Sequence, residues 1–150
     1  MSEPTPRKQL ETFIARFDPA IAASTRKILA AMRKRLPGAL ELVYDNYNAL
    51  AVGFGSTEKV GDVLFSIAVY PRWVSLFFSG GATLKDPGKR LKGSGTKVRH
   101  IVLTDAKTLG DPDVKALMDQ VLKARPLDPA QKHRLVIKSV SARQRHRRPG

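Results

Sequence analysis

The chain is predicted to fold as an α+β domain in which helices cover one face of an antiparallel sheet of about five strands. Three observations carry this. Helical periodicity comes first, at 6–17 and 19–35, period-two segments fill Ala39 to Leu103, and a last helix occupies 112–124. Helices grouped at the ends of a block of strands, not alternating with them, disfavour a parallel βαβ fold.

Each element has its own signal. Thr5-Pro6 is an N-cap followed by proline at the first helical position, and Leu10, Phe13, Ile14 and Phe17 then repeat with helical spacing. Asp18-Pro19 repeats the device. The second helix gathers Ile21, Ile28, Leu29, Met32 and Leu36 on one side and ends at Pro37-Gly38, while Arg26, Lys27, Arg33 and Lys34 form a cationic stripe opposite, read as a solvated face. From Ala39 the period becomes two. Leu40, Leu42 and Tyr44 alternate with Glu41, Val43 and Asp45, as in a half-buried strand ending at the Asn46–Asn48 turn. Ala49–Gly55 is a second strand, with Gly53 marking a bulge or a close backbone approach. Val63–Tyr70 and Trp73–Phe78, joined by Pro71-Arg72, read as the central hairpin, and Lys97–Leu103 completes the set. Asp111-Pro112 opens the last helix, with Val114, Leu117, Met118, Val121 and Leu122 on its stripe, and Arg125-Pro126 stops it. Leu29, Met32, Phe65, Ile67, Leu76, Leu117 and Val121 are expected among the most buried residues. Residues 1–125 are thus assigned to the domain, and 126–150 to a basic extension with an edge strand at 134–140 and a mobile arginine-rich end at Ser141–Gly150.

Composition narrows the function classes. A chain of 150 residues can bury about 70% of its unfolded surface in one domain without staples. With no cysteine, disulfide frameworks, thiolate catalysis and cysteine metal sites are excluded, in keeping with a reducing compartment. The amino terminus has no apolar leader core, and no run approaches the ~18 apolar residues of a membrane span. A cytoplasmic location without membrane partners is the expectation.

Charge points to an anionic partner. The net charge is +14, from 27 Lys/Arg against 13 Asp/Glu. Residues 131–148 hold Lys132, Arg134, Lys138, Arg143, Arg145, Arg147 and Arg148 with no acid. This tail fits a solubilising end, an electrostatic tether for nucleic acid, or a contact for a partner protein. A second concentration lies in LKGSGTKVRHIVL and the residues before it. There Lys89, Arg90 and Lys92 precede Gly93, Ser94 and Gly95, and Lys97, Arg99 and His100 follow, so positive charge coincides with a permissive backbone. His100 shares a strand face with Val98 and Val102, which makes it either a core-facing histidine or, beside Arg72, Arg99 and the glycine amides, part of an anion pocket. Trp73 and Tyr44 read as sheet aromatics, with a stacking role for Trp73 left open by the adjacent Arg72.

Catalytic motifs do not assemble. Gly88 and Gly93 are spaced as in a phosphate-binding P-loop, but Ser94 replaces its lysine and the segment leads into a strand. There is no G-x-S-x-G and no H-E-x-x-H, and Asp111 and Asp113 sit where an N-cap and a first-turn charge belong. No enzyme activity and no cofactor are expected.

The segments ELVYDNYNALAVGF (Glu41–Phe54), IAVYPRWVSLFF (Ile67–Phe78), LKGSGTKVRHIVL and DPDVKALM (Asp111–Met118) together resemble the YdhG-like family, a bacterial domain of unknown function, over roughly Leu10 to Lys123. The resemblance implies a frataxin-like two-layer sandwich and, by analogy with frataxins, raises iron binding as an alternative. Frataxins present iron with an acidic ridge on the first helix and sheet edge. Here Glu11 and Asp18 stand among eight cations on the first two helices, so the remaining candidates are Glu41, Asp45 and Asp62. The leading expectation is a non-catalytic module that binds nucleic acid, another polyanion or a phosphorylated small molecule through its basic loop and tail. Oligomeric state is not legible.

Overall fold

The computed structural model describes Pro4–Pro149; the outer limits of the two assigned segments, Met1 and Gly150, lie outside the described residues. Helix α1 (Pro6–Ile14) is capped by Thr5, whose hydroxyl accepts from the Lys8 amide at 3.2 Å. It ends before Phe17, three residues short of expectation, yet Phe17 still turns inward and is 1% exposed. Helix α2 spans Pro19–Arg35 and helix α3 Pro112–Ala124. Asp18 and Asp111 occupy N-cap positions, but neither carboxylate caps its helix. Beyond α2, Gly38 adopts φ +87°, and a Cβ there would fall 1.9 Å from the Asp128 carbonyl oxygen, so only glycine lets the two backbones pass.

The strands are β1 (Leu40–Asp45), β2 (Leu50–Gly55), β3 (Val63–Val69), β4 (Val74–Phe78), β5 (Arg99–Leu103) and β6 (Leu135–Val140). They form one six-stranded sheet in the order β5-β4-β3-β2-β1-β6. The five strands between Ala39 and Leu103 pair antiparallel as expected. The sixth does not: β6 returns after α3 and pairs parallel with β1, so the sheet is mixed. A parallel neighbour needs a long crossover, and the passage through α3 supplies it. Leu135–Val140 is the edge strand expected at 134–140, and it joins the sheet beside β1.

All three helices pack on one face. Phe13, Ile14 and Phe17, Ile28, Leu29 and Met32, and Val114, Leu117, Met118 and Val121 share a buried cluster with alternate residues of the strands, including Val52, Phe65, Ile67, Leu76 and Ile101. The seven residues singled out as core are all buried. Burial at about 25 cal/mol per Å² of apolar surface makes this layer the source of stability.

Strand β1 presents the face opposite to the one its hydrophobicity suggests. Glu41, Val43 and Asp45 point into the helix-covered layer, while Leu40 and Leu42 join a small cluster with Val63 on the other side. The cause is register. Val43 lies opposite Val52, Glu41 opposite Phe54 and Asp45 opposite Leu50, and directly opposed residues share a face. Strand β2 has an unambiguous apolar side, and β1 follows it. Two carboxylates are thereby buried, Glu41 at 0% and Asp45 at 1% exposure.

Candidate functional site

The β3–β4 connection is a four-residue turn, Tyr70-Pro71-Arg72-Trp73, in which the Tyr70 amide donates to the Trp73 carbonyl at 2.9 Å. Proline holds φ negative, so the turn is not one of the positive-φ types favoured in two-residue hairpins. Because Val69 and Val74 face the core, Tyr70 and Trp73 fall on the helix-free face. Their rings stack with centroids 4.8 Å apart and planes inclined by 22°, leaving Trp73 44% exposed. Arg72 stands at the exposed tip.

The tail closes on this turn from the β1 side. After β6, the Ser141 amide donates to Asp45 O and the Arg145 amide to Tyr47 O, each at 2.9 Å, so the chain runs as a strap along the β1–β2 turn. Arg147 anchors it. That side chain is 5% exposed, bonds Asp45 Oδ1 at 3.0 Å and the carbonyls of Asn46 and Tyr47 at 2.6 and 3.3 Å, and lies 5.6 Å from the Phe17 ring. Arg16 reaches the other Asp45 oxygen at 3.3 Å. Residues 141–149, expected as a mobile end, lie along the domain as a strap: a buried carboxylate must be paired, and the tail supplies the partner. Arg143 and Arg145 stay exposed, and Arg148, also exposed, donates to the Arg16 carbonyl at 3.1 Å.

Between strap and turn lies a cleft of about 820 Å³. Tyr47, Tyr70 and Trp73 supply aromatic rings, Arg72, Arg145 and Arg148 its charge, and among the described residues no acidic side chain lines it. Tyr47, Asn48 and Tyr70 also border a second hollow of about 620 Å³ over the helix-free face.

The loop cations are dispersed by comparison. Arg90 is held by Asp111 and Asp113, at 3.2 Å to each, which is why these acids do not cap α3. Arg99 folds back on its own loop, donating to Gly95 O at 2.5 Å and Val98 O at 2.8 Å. Lys92 and His100 exchange both backbone bonds across the loop neck, at 2.8 and 2.9 Å. Lys89, Lys92, Ser94 and Lys97 remain exposed. The pocket uniting Arg72 with His100, Arg99 and Gly93–Gly95 is not formed. Arg72 precedes Val74, which pairs with Leu103, whereas Arg99 pairs with Phe78 at the other end of β4. Nor does His100 face the core: it sits half-buried on the helix-free face, stacked on Phe77 at 5.1 Å.

The carboxylates considered for metal do not converge. Glu41 receives a bidentate guanidinium from Arg33 at 2.8 and 2.9 Å and contacts His133. Arg33 therefore leaves the solvated stripe assigned to it, and Arg26 pairs with Glu11 at 2.5 Å. Asp45 is enclosed by Arg147 and Arg16, at the opposite end of β1 from Glu41, and Asp62 bonds the Thr57 hydroxyl at 2.6 Å. Among the described residues no group of three histidines or acids is placed to hold a metal ion. No helix there is long and apolar enough to cross a membrane.

Sequence reasoning named Arg72 and the tail arginines without linking them, and missed Tyr47 and Tyr70. The link is an ion pair between positions 102 apart, which no local pattern signals. No protein-family model matches the chain, and neither the curated proteins nor the solved structures contain a significant match.

Proposed function

We propose that this chain is a non-catalytic nucleic-acid-binding module, a YdhG-like domain of frataxin-like architecture whose cleft between the β3–β4 turn and the C-terminal strap receives the phosphate backbone. The observation that supports this reading most is the meeting of Arg72, Arg145 and Arg148 around one cleft that, among the described residues, no acidic side chain lines, in a protein of net charge +14. Arg148 is partly offset by Asp18 at 4.0 Å, whereas Arg72 and Arg145 have no ion pair among the described residues; like charges so placed repel one another, and a polyanion relieves this by releasing its own counterions. Exposed Arg143 and the loop lysines Lys89, Lys92 and Lys97 extend the field beyond the cleft. Against a catalytic reading stands the use of the acids: Glu41, Asp45, Asp111 and Asp113 are engaged by guanidinium groups. A tightly held small phosphate ligand at Gly93–Gly95 is disfavoured by Arg99 turning inward onto the loop's own carbonyls.

The test is the salt dependence of oligonucleotide binding, followed by fluorescence anisotropy of a labelled strand. Affinity should fall steeply between ~50 and ~200 mM salt. An Arg72→Ala/Arg145→Ala double variant, altered at two exposed side chains, should bind more weakly with a log–log slope shallower by about 1.5. Absence of binding at the lower salt, or a double variant indistinguishable from the parent, would refute the reading.

A further inference from the structure

Charge alone does not account for the cleft, because Tyr47, Tyr70 and Trp73 also line it. Trp73, the chain's sole tryptophan, stacks on Tyr70 beside Arg72, and Tyr47, 49% exposed, lines the same cleft. Large rings left in water between arginines serve no purpose toward a duplex, whose bases are already stacked inside and whose contacts here would be to phosphate. They suit unpaired bases, each of which offers a π-face to a protein ring.

The surface leading away from the cleft is consistent with a strand and not with a single nucleotide. Tyr70 and Tyr47 border both hollows, so the cleft opens directly onto the helix-free face. That face is lined along its middle by Ala51, Ser66 and Ala68, which keep it shallow. At its far side Phe77 stacks on His100, and Val98, 45% exposed, leads back to the lysine-bearing loop. Trp73, immediately before β4, and Phe77 within it share a face, four residues and about 13 Å apart in extended chain. Two ring platforms at that separation, with arginines at one end and Lys97 toward the other, form a track for several nucleotides.

We propose that the ligand is single-stranded nucleic acid, one base stacking on Trp73 while Arg72, Arg145 and Arg148 hold its phosphates, and the strand continuing over the helix-free face toward Phe77 and His100. This rests on the nucleic-acid reading above and adds the strandedness and the path. The single tryptophan makes the contact directly observable. A ten-nucleotide oligo-dT should quench Trp73 fluorescence on binding and bind at least about tenfold more tightly than a ten-base-pair duplex at the same salt, since stacking adds to the shared phosphate contribution. By anisotropy of the labelled oligomer, Trp73→Ala should weaken single-strand binding by about fivefold or more and leave duplex binding unchanged, whereas Trp73→Phe, which keeps a ring, should recover most of the loss. Circular dichroism of both variants establishes that they fold. If Trp73→Ala does not fold, the comparison of Trp73→Phe with Arg72→Ala and the quenching of the parent decide. Equal affinity for duplex and single strand, or no quenching on binding, overturns the single-strand proposal while sparing the polyanion reading. Quenching by thymidine monophosphate at concentrations comparable to the decamer overturns the track. Failure of every oligonucleotide to bind removes both readings.

Discussion

At the residue scale, the decisive groups are polar ones in apolar surroundings. Asp45 and Arg147 are 1% and 5% exposed, and each is there because the other is. A buried pair is a weak source of stability, but losing one member leaves an uncompensated charge. Tyr44 is the opposite case: its hydroxyl is buried and has no hydrogen-bond partner. Burial raises the phenol above its ordinary 10.0. Because the folded state then keeps a proton that the unfolded chain releases, stability is intact below pH 10.0 and declines as pH rises through that value toward the raised one. Tyr44→Phe should therefore raise the unfolding free energy by about 1 kcal/mol at neutral pH and flatten the alkaline decline, measured by urea titration at pH 7 and at alkaline pH. A loss of stability on making the change would show that the hydroxyl is satisfied. None of this was visible in the composition of β1. The alternation of Leu40, Leu42 and Tyr44 points the wrong way, and only the register against Leu50, Val52 and Phe54 reveals that the acids turn inward.

At the scale of elements, the local signals worked where chain neighbours determine the outcome. Thr5-Pro6, Pro37-Gly38 and Asp111-Pro112 mark helix ends close to those observed, and the period-two runs locate β1 to β5, because caps and alternation are properties of adjacent residues. The place of β6 was not determined in this way. Its residues, Leu135–Val140, signal a strand but carry no information on which edge they join, and the parallel pairing with β1 depends on where α3 delivers the chain. The strap follows from that pairing, since β6 ends beside Asp45 and leaves Arg147 within reach of it. Truncation after Val140 should accordingly act on the fold and not only on charge. The truncated protein and Arg147→Ala should each lose about 3 kcal/mol by denaturant unfolding, whereas Arg143→Ala, at an exposed side chain with no carboxylate partner among the described residues, should lose less than about 0.5 kcal/mol. Equal stability of truncated and full chains would mean that the strap is not docked in solution.

At the scale of the whole molecule, the sheet has two unlike faces. One is sealed by three helices; the other is helix-free, small-residued in its centre and aromatic at its borders, with the arginine cleft at one end and the glycine loop at the other. The basic loop and tail singled out from the sequence are thus two ends of one face and not one pocket, and the aromatic turn belongs with the tail. Backbone amide shifts recorded by NMR during titration with a short single-stranded oligonucleotide test this arrangement most directly. Perturbations should concentrate at Tyr47–Asn48, Tyr70–Trp73 and Gln144–Arg148, then spread over the helix-free face of β3 and β4. Shifts confined to Lys89–Lys97, or to the helices on the opposite face, would contradict it.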